Sequence, residues 1–372
     1  MNILYISRAK GVPWAGPTYS IPAQIAAQRN YDDILWYNII KPDEPYAKEW
    51  FGKTGWRDKE YYCDLIDYPN QKISELPQPF CKPDLIVVEQ FYGYAGYPII
   101  REIMRSGIPY IIIPRGELTD AAQKSKRLKK WIGNILIFKK FAKNAAAIEY
   151  LTEQEYKDSG TDWNENKLII PNGMESSKQK ACGNNKESGY KFLSIGRLDP
   201  YHKGLDLLIS ACSLVQEQLR NNNCSIIVYG PDRVGKLADL VEETKLAHID
   251  DLLSFGGPLY GEEKKKVMLS SDIFVITSRF EGHPMALIEA MDYGLPCIAT
   301  TGCNMRSEIE QYKAGWTADC TTESIADAFC NAIQQLTKLE SFSNNAIHLA
   351  SEYEWDKLAE YSHKQYEELL NK

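Results

Sequence analysis

Short, nearly unbroken runs of Ile, Leu and Val recur along this chain, separated by stretches of helical periodicity, and the sequence passes through that alternation twice. The first pass places strands at Ile3–Ser7, Ile34–Asn38, Leu85–Val88, Tyr110–Ile113, Ala147–Tyr150 and Leu168–Ile170, with helices at Gly96–Ser106 and Arg127–Lys143. A strand that is apolar at every position has both faces covered, as a parallel sheet flanked by helices requires. Alternating strands and helices therefore predict an α/β chain with doubly wound parallel sheets. A polar stretch over 175–190 interrupts the pattern, and a second pass follows. Its strands fall at Phe192–Ile195, Ser225–Tyr229, Ile273–Thr277 and Cys297–Thr300, and its helices at Leu205–Leu219 and Leu237–Ala247. The chain closes on an amphipathic helix, Trp355–Leu370, with Trp355, Leu358, Tyr361 and Leu369 on or near one stripe. The expected organisation is a Rossmann-like domain over 1–174, a linker over 175–190, a second Rossmann-like domain over 191–352 and a terminal helix over 353–372. A length of 372 residues suits two domains. Sheets of this kind bind ligands beyond the carboxyl ends of their strands, and those edges are expected to face a cleft.

Composition removes several function classes. Hydrophobic residues are 44% and charged residues 25%, an ordinary globular balance. The longest apolar stretches, such as 111–114 and 273–277, fall far short of the roughly 18 residues of a membrane span. No charged leader with an apolar core precedes the first strand, so a cytoplasmic protein is expected. Nine cysteines without a C-x-x-C read as reduced thiols. The first 175 residues carry 23 Lys and Arg against 22 Asp and Glu, and the remainder 20 against 28. An acidic second half argues against nucleic-acid binding.

One stretch is strongly basic. Between Asp120 and Glu149 there are eight Lys and Arg and no acid, with an apolar side of Trp131, Ile132, Ile135, Leu136 and Phe138. Such a basic amphipathic helix over 124–143 is expected to lie on an anionic membrane surface, at the inner face of the cytoplasmic membrane. An ordinary helix with one core face is the plainer reading. Residues 41–82 are irregular and hold Trp50, Phe51, Trp56, Tyr61 and Tyr62. They read as a surface excursion packing its own aromatics, or as a wall for sugar rings.

Two motifs carry chemistry. In SRFEGHPMALIEAMDYGLPCIAT, residues 278–300, a strand leads into a helix with Pro284 in its first turn and Gly294 placed to end it. Free N–H groups near Met285 and Ala286 would form an anion site. Glu281 precedes this helix and Glu289 lies inside it, with seven residues between them. From Pro284 to Glu289 the helix rises about 7.5 Å, so the two carboxylates can take hydroxyls on opposite sides of a diphosphate. In FLSIGRLDPYHKGLDLLISA, residues 192–211, Arg197 and Lys203 sit on a glycine-containing loop before a helix. Two fixed cations there suit a departing nucleoside diphosphate.

The first motif resembles the E-x7-E signature of the retaining glycosyltransferases of family 4, which have the GT-B fold of two Rossmann-like domains with a C-terminal helix returning toward the first. The second resembles that family's G-R-L…K-G arrangement. IIPNGM at 169–174, IIVYGP at 226–231 and LLSFGGPLYGEE at 252–263 resemble its hinge, nucleotide-side turn and base-binding strand. The likeness implies that Glu281 contacts the donor sugar, Glu289 the ribose, and Arg197 and Lys203 the diphosphate. It extends the donor site to Gly196, Phe255, Gly257, His283, Pro284, Met285, Ala286 and Leu287. On the acceptor side it points to Gly16, Pro17 and Thr18 in the loop KGVPWAGPTYS, and to Arg115. Many members carry a His in a P-H-G loop; here IIIPRGELTDAA puts Arg115 there, and Arg cannot act as a base near neutral pH.

The implied activity is transfer of a sugar from a nucleotide diphosphate sugar to a hydroxyl, with retention, by front-side attack. The acceptor implied is a glycan, lipid-linked in capsule, exopolysaccharide or lipopolysaccharide assembly. No D-x-D marks a metal site, and neither metal nor cofactor is expected. An epimerase of the same fold or a non-catalytic glycan-binding partner are the other classes open. A dehydrogenase is disfavoured because no G-x-G-x-x-G follows the first strand.

Overall fold

A computed structural model describes residues 1–12, 16–41, 43–124, 126–181 and 189–371. The chain forms two compact units: Met1–Gly173 with Trp355–Lys372, and Met174–Glu354.

The first unit is built on seven strands, β1 (Asn2–Ser7), β2 (Asp33–Asn38), β3 (Tyr62–Asp64), β4 (Leu85–Glu89), β5 (Tyr110–Ile113), β6 (Ala147–Tyr150) and β7 (Lys167–Ile169). All pair in parallel, in the order β3-β2-β1-β4-β5-β6-β7. Ile3 of β1 lies opposite Ile34 on one side and Leu85 on the other. Every residue of β4 and β5 is buried, which is why those runs are continuous in aliphatic residues. The strand order reverses at β1 and β4, the place where loops splay apart at the carboxyl edge.

β3 lies inside the stretch read as irregular. Its three residues, Tyr-Cys-Asp, hold no Ile, Leu or Val, so the aliphatic signal misses it. The aromatics around it form a packed cluster: the Trp36 and Tyr62 rings meet edge to face at 5.0 Å, and Trp50 and Phe51 lie 5.3 Å apart. Trp50, Phe51 and Tyr62 are buried, so they serve the core of this unit rather than a sugar-binding wall.

The helix Pro17–Gln28, not expected from the periodicity, follows β1 and packs against the terminal helix Trp355–Leu370. Tyr366 on that terminal helix is fully buried and donates to Glu149 Oε2 at 2.7 Å. A Cβ on Gly173 would come within 2.5 Å of the Trp355 ring, so the chain passes that indole only as glycine.

The second unit has six parallel strands, β8 (Tyr190–Ile195), β9 (Cys224–Tyr229), β10 (Leu253–Gly257), β11 (Ile273–Ile276), β12 (Cys297–Thr300) and β13 (Gly315–Ala318). Their order is β10-β9-β8-β11-β12-β13, with the reversal between β8 and β11. Phe192, Leu208, Ile226 and Phe329 fill one face; Leu193, Phe274, Ile288 and Met291 fill the other. The helix expected over 205–219 is two helices, Leu205–Leu214 and Gln216–Asn221, broken at Val215 with φ −111°.

The stretch read as a linker is partly bound to this unit. Ser176 Oγ and the Ser177 N–H both donate to the Asp292 carboxylate, and the Ala181 N–H to the Tyr293 carbonyl. Residues 182–188 lie outside the described residues. Eight cysteines are described and all are free thiols, three of them partly exposed.

Candidate functional site

The functional motifs of the second unit meet where its sheet reverses. β8 ends in the loop from Gly196 to Lys203, and β11 ends in the loop from Ser278 to Pro284. Glycines let these loops approach closely. A Cβ on Gly204, which has φ +61°, would lie 2.0 Å from the Thr277 carbonyl oxygen, and one on Gly230 would lie 1.6 Å from that of Gly196. Thr277 Oγ1 donates to the Lys203 and Gly204 carbonyls, which seats the start of the helix Leu205–Leu214 on the end of β11.

That junction brings Lys203 to Glu281. Its Nζ lies 2.5 Å from Glu281 Oε1, and Ser278 Oγ donates to the same oxygen at 2.6 Å. Neither side chain of the ion pair is more than a fifth exposed. The Glu281 backbone is fixed as well, its N–H on Gly302 and its carbonyl accepting from Asn304. Arg279 clamps the two loops together through a bidentate pair with Asp206 and a bond to the Tyr201 carbonyl. The sequence reading gave Lys203 and Glu281 separate partners, and the structure pairs them. Arg197, on the same loop, is exposed and makes no ion pair among the described residues.

Glu289 sits in the helix Met285–Asp292 and is paired with Lys264 of the helix Gly261–Leu269. Lys264 was not singled out from the sequence, because it is the first of three consecutive lysines that the pattern does not distinguish. Pro284 is the residue before this helix, with φ −82° and ψ 70°, and not part of its first turn. The Met285 N–H is taken by the His283 carbonyl. The Ala286 N–H is left without a backbone partner among the described residues. Leu287 is fully buried in the core, so its side chain is structural. Gly294, with φ +79°, follows the helix as expected.

Phe255 and Gly257 lie on β10. The Gly257 carbonyl accepts from the Gly230 N–H at 2.7 Å, which fixes the end of β10 against the turn after β9. Gly256 between them cannot carry a Cβ, which would sit 2.1 Å from the Tyr229 ring. Both ring nitrogens of His283 are buried without a hydrogen-bond partner among the described residues, and burial lowers its pKa to about 4. It is a neutral imidazole at physiological pH.

In the first unit, Gly16 precedes the helix Pro17–Gln28, and its carbonyl accepts from the Tyr19 and Ser20 N–H groups. Residues 13–15 of the same loop lie outside the described residues. Thr18 is buried, its hydroxyl bonded to the Val12 carbonyl. Arg115 is an internal hub, its side chain only 5% exposed. Its Nε and Nη2 grip Glu89 at 2.6 and 3.1 Å, Nη1 reaches Ser20 and Asn172, and Nη2 also reaches Gln24. A guanidinium has five donor hydrogens, and five contacts use them.

Residues 175–349, just under half of the chain, match the family model described as glycosyl transferases group 1. That match spans nearly all of the second unit, Met174–Glu354. The amylovoran biosynthesis glycosyltransferase AmsK of Erwinia amylovora is 31% identical over 157 residues, covering 41% of this chain and 37% of that protein. The UDP-Gal:alpha-D-GlcNAc-diphosphoundecaprenol alpha-1,3-galactosyltransferase of Escherichia coli is 25% identical over 183 residues, covering 45% and 44%. These matches span less than half of the curated relatives. Over the full length, the structure of Anabaena Alr3699/HepE in complex with UDP superposes with a TM-score of 0.73 at 16% identity, covering 99% of this chain and 100% of that one. At that identity the likeness establishes the fold, two Rossmann-like parallel-sheet units of the GT-B class.

Proposed function

We propose that the chain is a retaining glycosyltransferase of family 4, transferring a sugar from a nucleotide diphosphate sugar to a hydroxyl of a lipid-linked glycan acceptor. The observation that carries this reading is the convergence of Arg197, Lys203, Glu281 and the start of the helix Met285–Asp292 on the reversal point of the second sheet. Arg197 and Lys203 stabilise the charge that develops on the leaving diphosphate, and the helix start adds its dipole. Glu281, held by Lys203 and Ser278, orients the donor hexose. Glu289, held by Lys264, takes the ribose. His283, neutral and with two unused ring nitrogens, is placed beside this motif to bond a sugar hydroxyl. Front-side attack needs no protein nucleophile; the leaving phosphate oxygen takes the acceptor proton. The Erwinia and Escherichia relatives are named for polysaccharide synthesis and for a diphosphoundecaprenol acceptor, and HepE was solved with UDP, so a uridine donor is the first to test.

The reading includes an anionic membrane surface as the place of work. The helical stretch from Arg127 to Asn144 contains Leu128, Trp131, Ile132, Ile135 and Leu136, spaced at i, i+3, i+4, i+7 and i+8, and each is 45% to 76% exposed. An apolar stripe facing outward among lysines matches the interface of a lipid bilayer.

Calorimetry and product NMR test the reading. Glu289→Ala should weaken free nucleoside diphosphate by roughly 10-fold or more, the worth of one charge-assisted hydrogen bond. Glu281→Ala should spare that binding and depress transfer. A product anomer inverted relative to the donor, or no nucleotide binding at all, defeats it.

A further inference from the structure

The sequence reading looked for sugar-facing aromatics in residues 41–82, and the structure buries Trp50, Phe51 and Tyr62 there. An exposed aromatic pair lies instead on the two loops that carry the motifs of the second unit. Tyr201, two residues before Lys203, is 64% exposed, and Phe280, immediately before Glu281, is 49% exposed. Large apolar side chains grouped in water mark a surface that meets a ligand or a partner.

The pair is held in place. The two ring centroids lie 5.9 Å apart with their planes at 60°. The Arg279 guanidinium stands over the Tyr201 ring at 4.5 Å, donates to the Tyr201 carbonyl and grips Asp206 with both terminal nitrogens. The His202 ring meets Phe280 edge to face at 5.1 Å, and the His202 carbonyl accepts from the Arg279 N–H. These contacts lock the Tyr201 loop onto the Phe280 loop, so both rings keep a fixed place relative to Lys203 and Glu281. Little side-chain freedom is left to lose when a ligand stacks on them.

A pyranose ring presents a face of C–H groups, which suits an aromatic ring, and a rim of hydroxyls, which stays in water. The charge around the pair favours an uncharged ring. Residues 196–206 and 278–284 carry three cations, Arg197, Lys203 and Arg279, and three carboxylates, Asp199, Asp206 and Glu281. Arg279 is paired with Asp206 and Lys203 with Glu281, and Arg197 belongs to the diphosphate in the transferase reading. No cation is left over for an acidic sugar or a lipid phosphate. The apolar stripe within Arg127–Asn144 differs in this respect, since it stands among lysines.

We propose that Tyr201 and Phe280 form a stacking subsite, on the second unit, for an uncharged sugar ring of the glycan acceptor. The proposal rests on the transferase reading for its role, because the ring held there belongs to the chain being extended. It places a glycan contact beside the donor motifs, apart from the loop after β1.

Calorimetry on the full chain tests it, with maltotetraose, N-acetylchitotetraose and tetragalacturonate as probes. At least one neutral tetrasaccharide should bind, and more tightly than tetragalacturonate. Tyr201→Ser combined with Phe280→Ser should weaken that binding by roughly 10-fold, the worth of two aromatic contacts. The thermal midpoint of this variant should stay near that of the parent, since both rings are already in water. Phe280→Tyr keeps a flat ring and should retain the affinity. Binding of neither neutral tetrasaccharide, tighter binding of tetragalacturonate, or unchanged affinity in the double variant overturns the proposal. A parent dimer that the double variant dissociates in sedimentation would assign the rings to a second copy of the chain, and overturns it too. UDP is titrated separately and should bind parent and variants alike. The tetrasaccharide titrations are run with and without UDP, so a failure of the donor site, which defeats the transferase reading, leaves the stacking result readable.

Discussion

At the scale of single residues, the first unit keeps an unusual amount of charge inside. Glu89, Glu149 and Glu155 are buried within one region, with Arg115 the cation among them. Arg115 also occupies a left-handed backbone at φ +50°, a conformation that few side chains adopt without compensation. Its five contacts supply that compensation. Arg115→Ala leaves Glu89 buried and unpaired, which should cost about 3–5 kcal/mol in a urea melt. Arg115→Met combined with Glu89→Gln should recover much of that loss, because no uncompensated charge remains. Glu149 titrates differently from an ordinary carboxyl: burial raises its pKa to about 8, against a lowering bond from Tyr366. The native state then holds a proton that the unfolded chain releases near pH 4.5, so native stability falls as pH rises from about 4.5 to 8. Glu149→Gln should flatten that slope, seen as a thermal midpoint that changes less between pH 5.5 and pH 8 than in the parent protein.

Among elements, the stretch from Arg127 to Asn144 is the least expected by the rules of soluble folding. It is interrupted by a π-helical turn over Asn134–Phe138, a feature common at functional sites. Phe138 and Phe141 turn inward against Phe91, while the five outward apolar residues have no core to join. The sequence reading put Phe138 on the outward side, and the structure moves it to the core. Replacing Leu128, Trp131, Ile135 and Leu136 with Ser should leave the thermal midpoint nearly unchanged, since these side chains are already in water. The same variant should lose sedimentation with phosphatidylglycerol vesicles. Retained vesicle binding would assign the membrane contact to another face. The loss in the basic variant Lys126, Arg127, Lys129 and Lys130→Ser should shrink as salt rises, while the apolar variant should be salt-insensitive.

On the scale of the whole molecule, the first unit is discontinuous in sequence: Trp355–Lys372 belong with Met1–Gly173. Asp32 illustrates the closure, taking both the Met1 ammonium and His363 Nδ1 at 2.9 Å. A chain ending at Glu354 loses the buried Tyr366 and Trp355, and its first unit should melt more than about 5 °C lower in calorimetry. The sequence by itself determined the two parallel sheets, because strands covered on both faces must be apolar at every position. Most strand boundaries in it are correct to one or two residues for the same reason, β11 ending at Ile276 where the aliphatic run ends. It also located the motif loops, since glycine, proline and charge at fixed spacing leave a local mark. Tertiary structure alone decided which charges meet. Lys203 to Glu281 spans 78 residues, Lys264 to Glu289 spans 25 and Arg115 to Gln24 spans 91. Hydrogen bonds and ion pairs act over a few ångströms of space, and nothing in a linear spacing states which distant loops the sheet will bring within that reach.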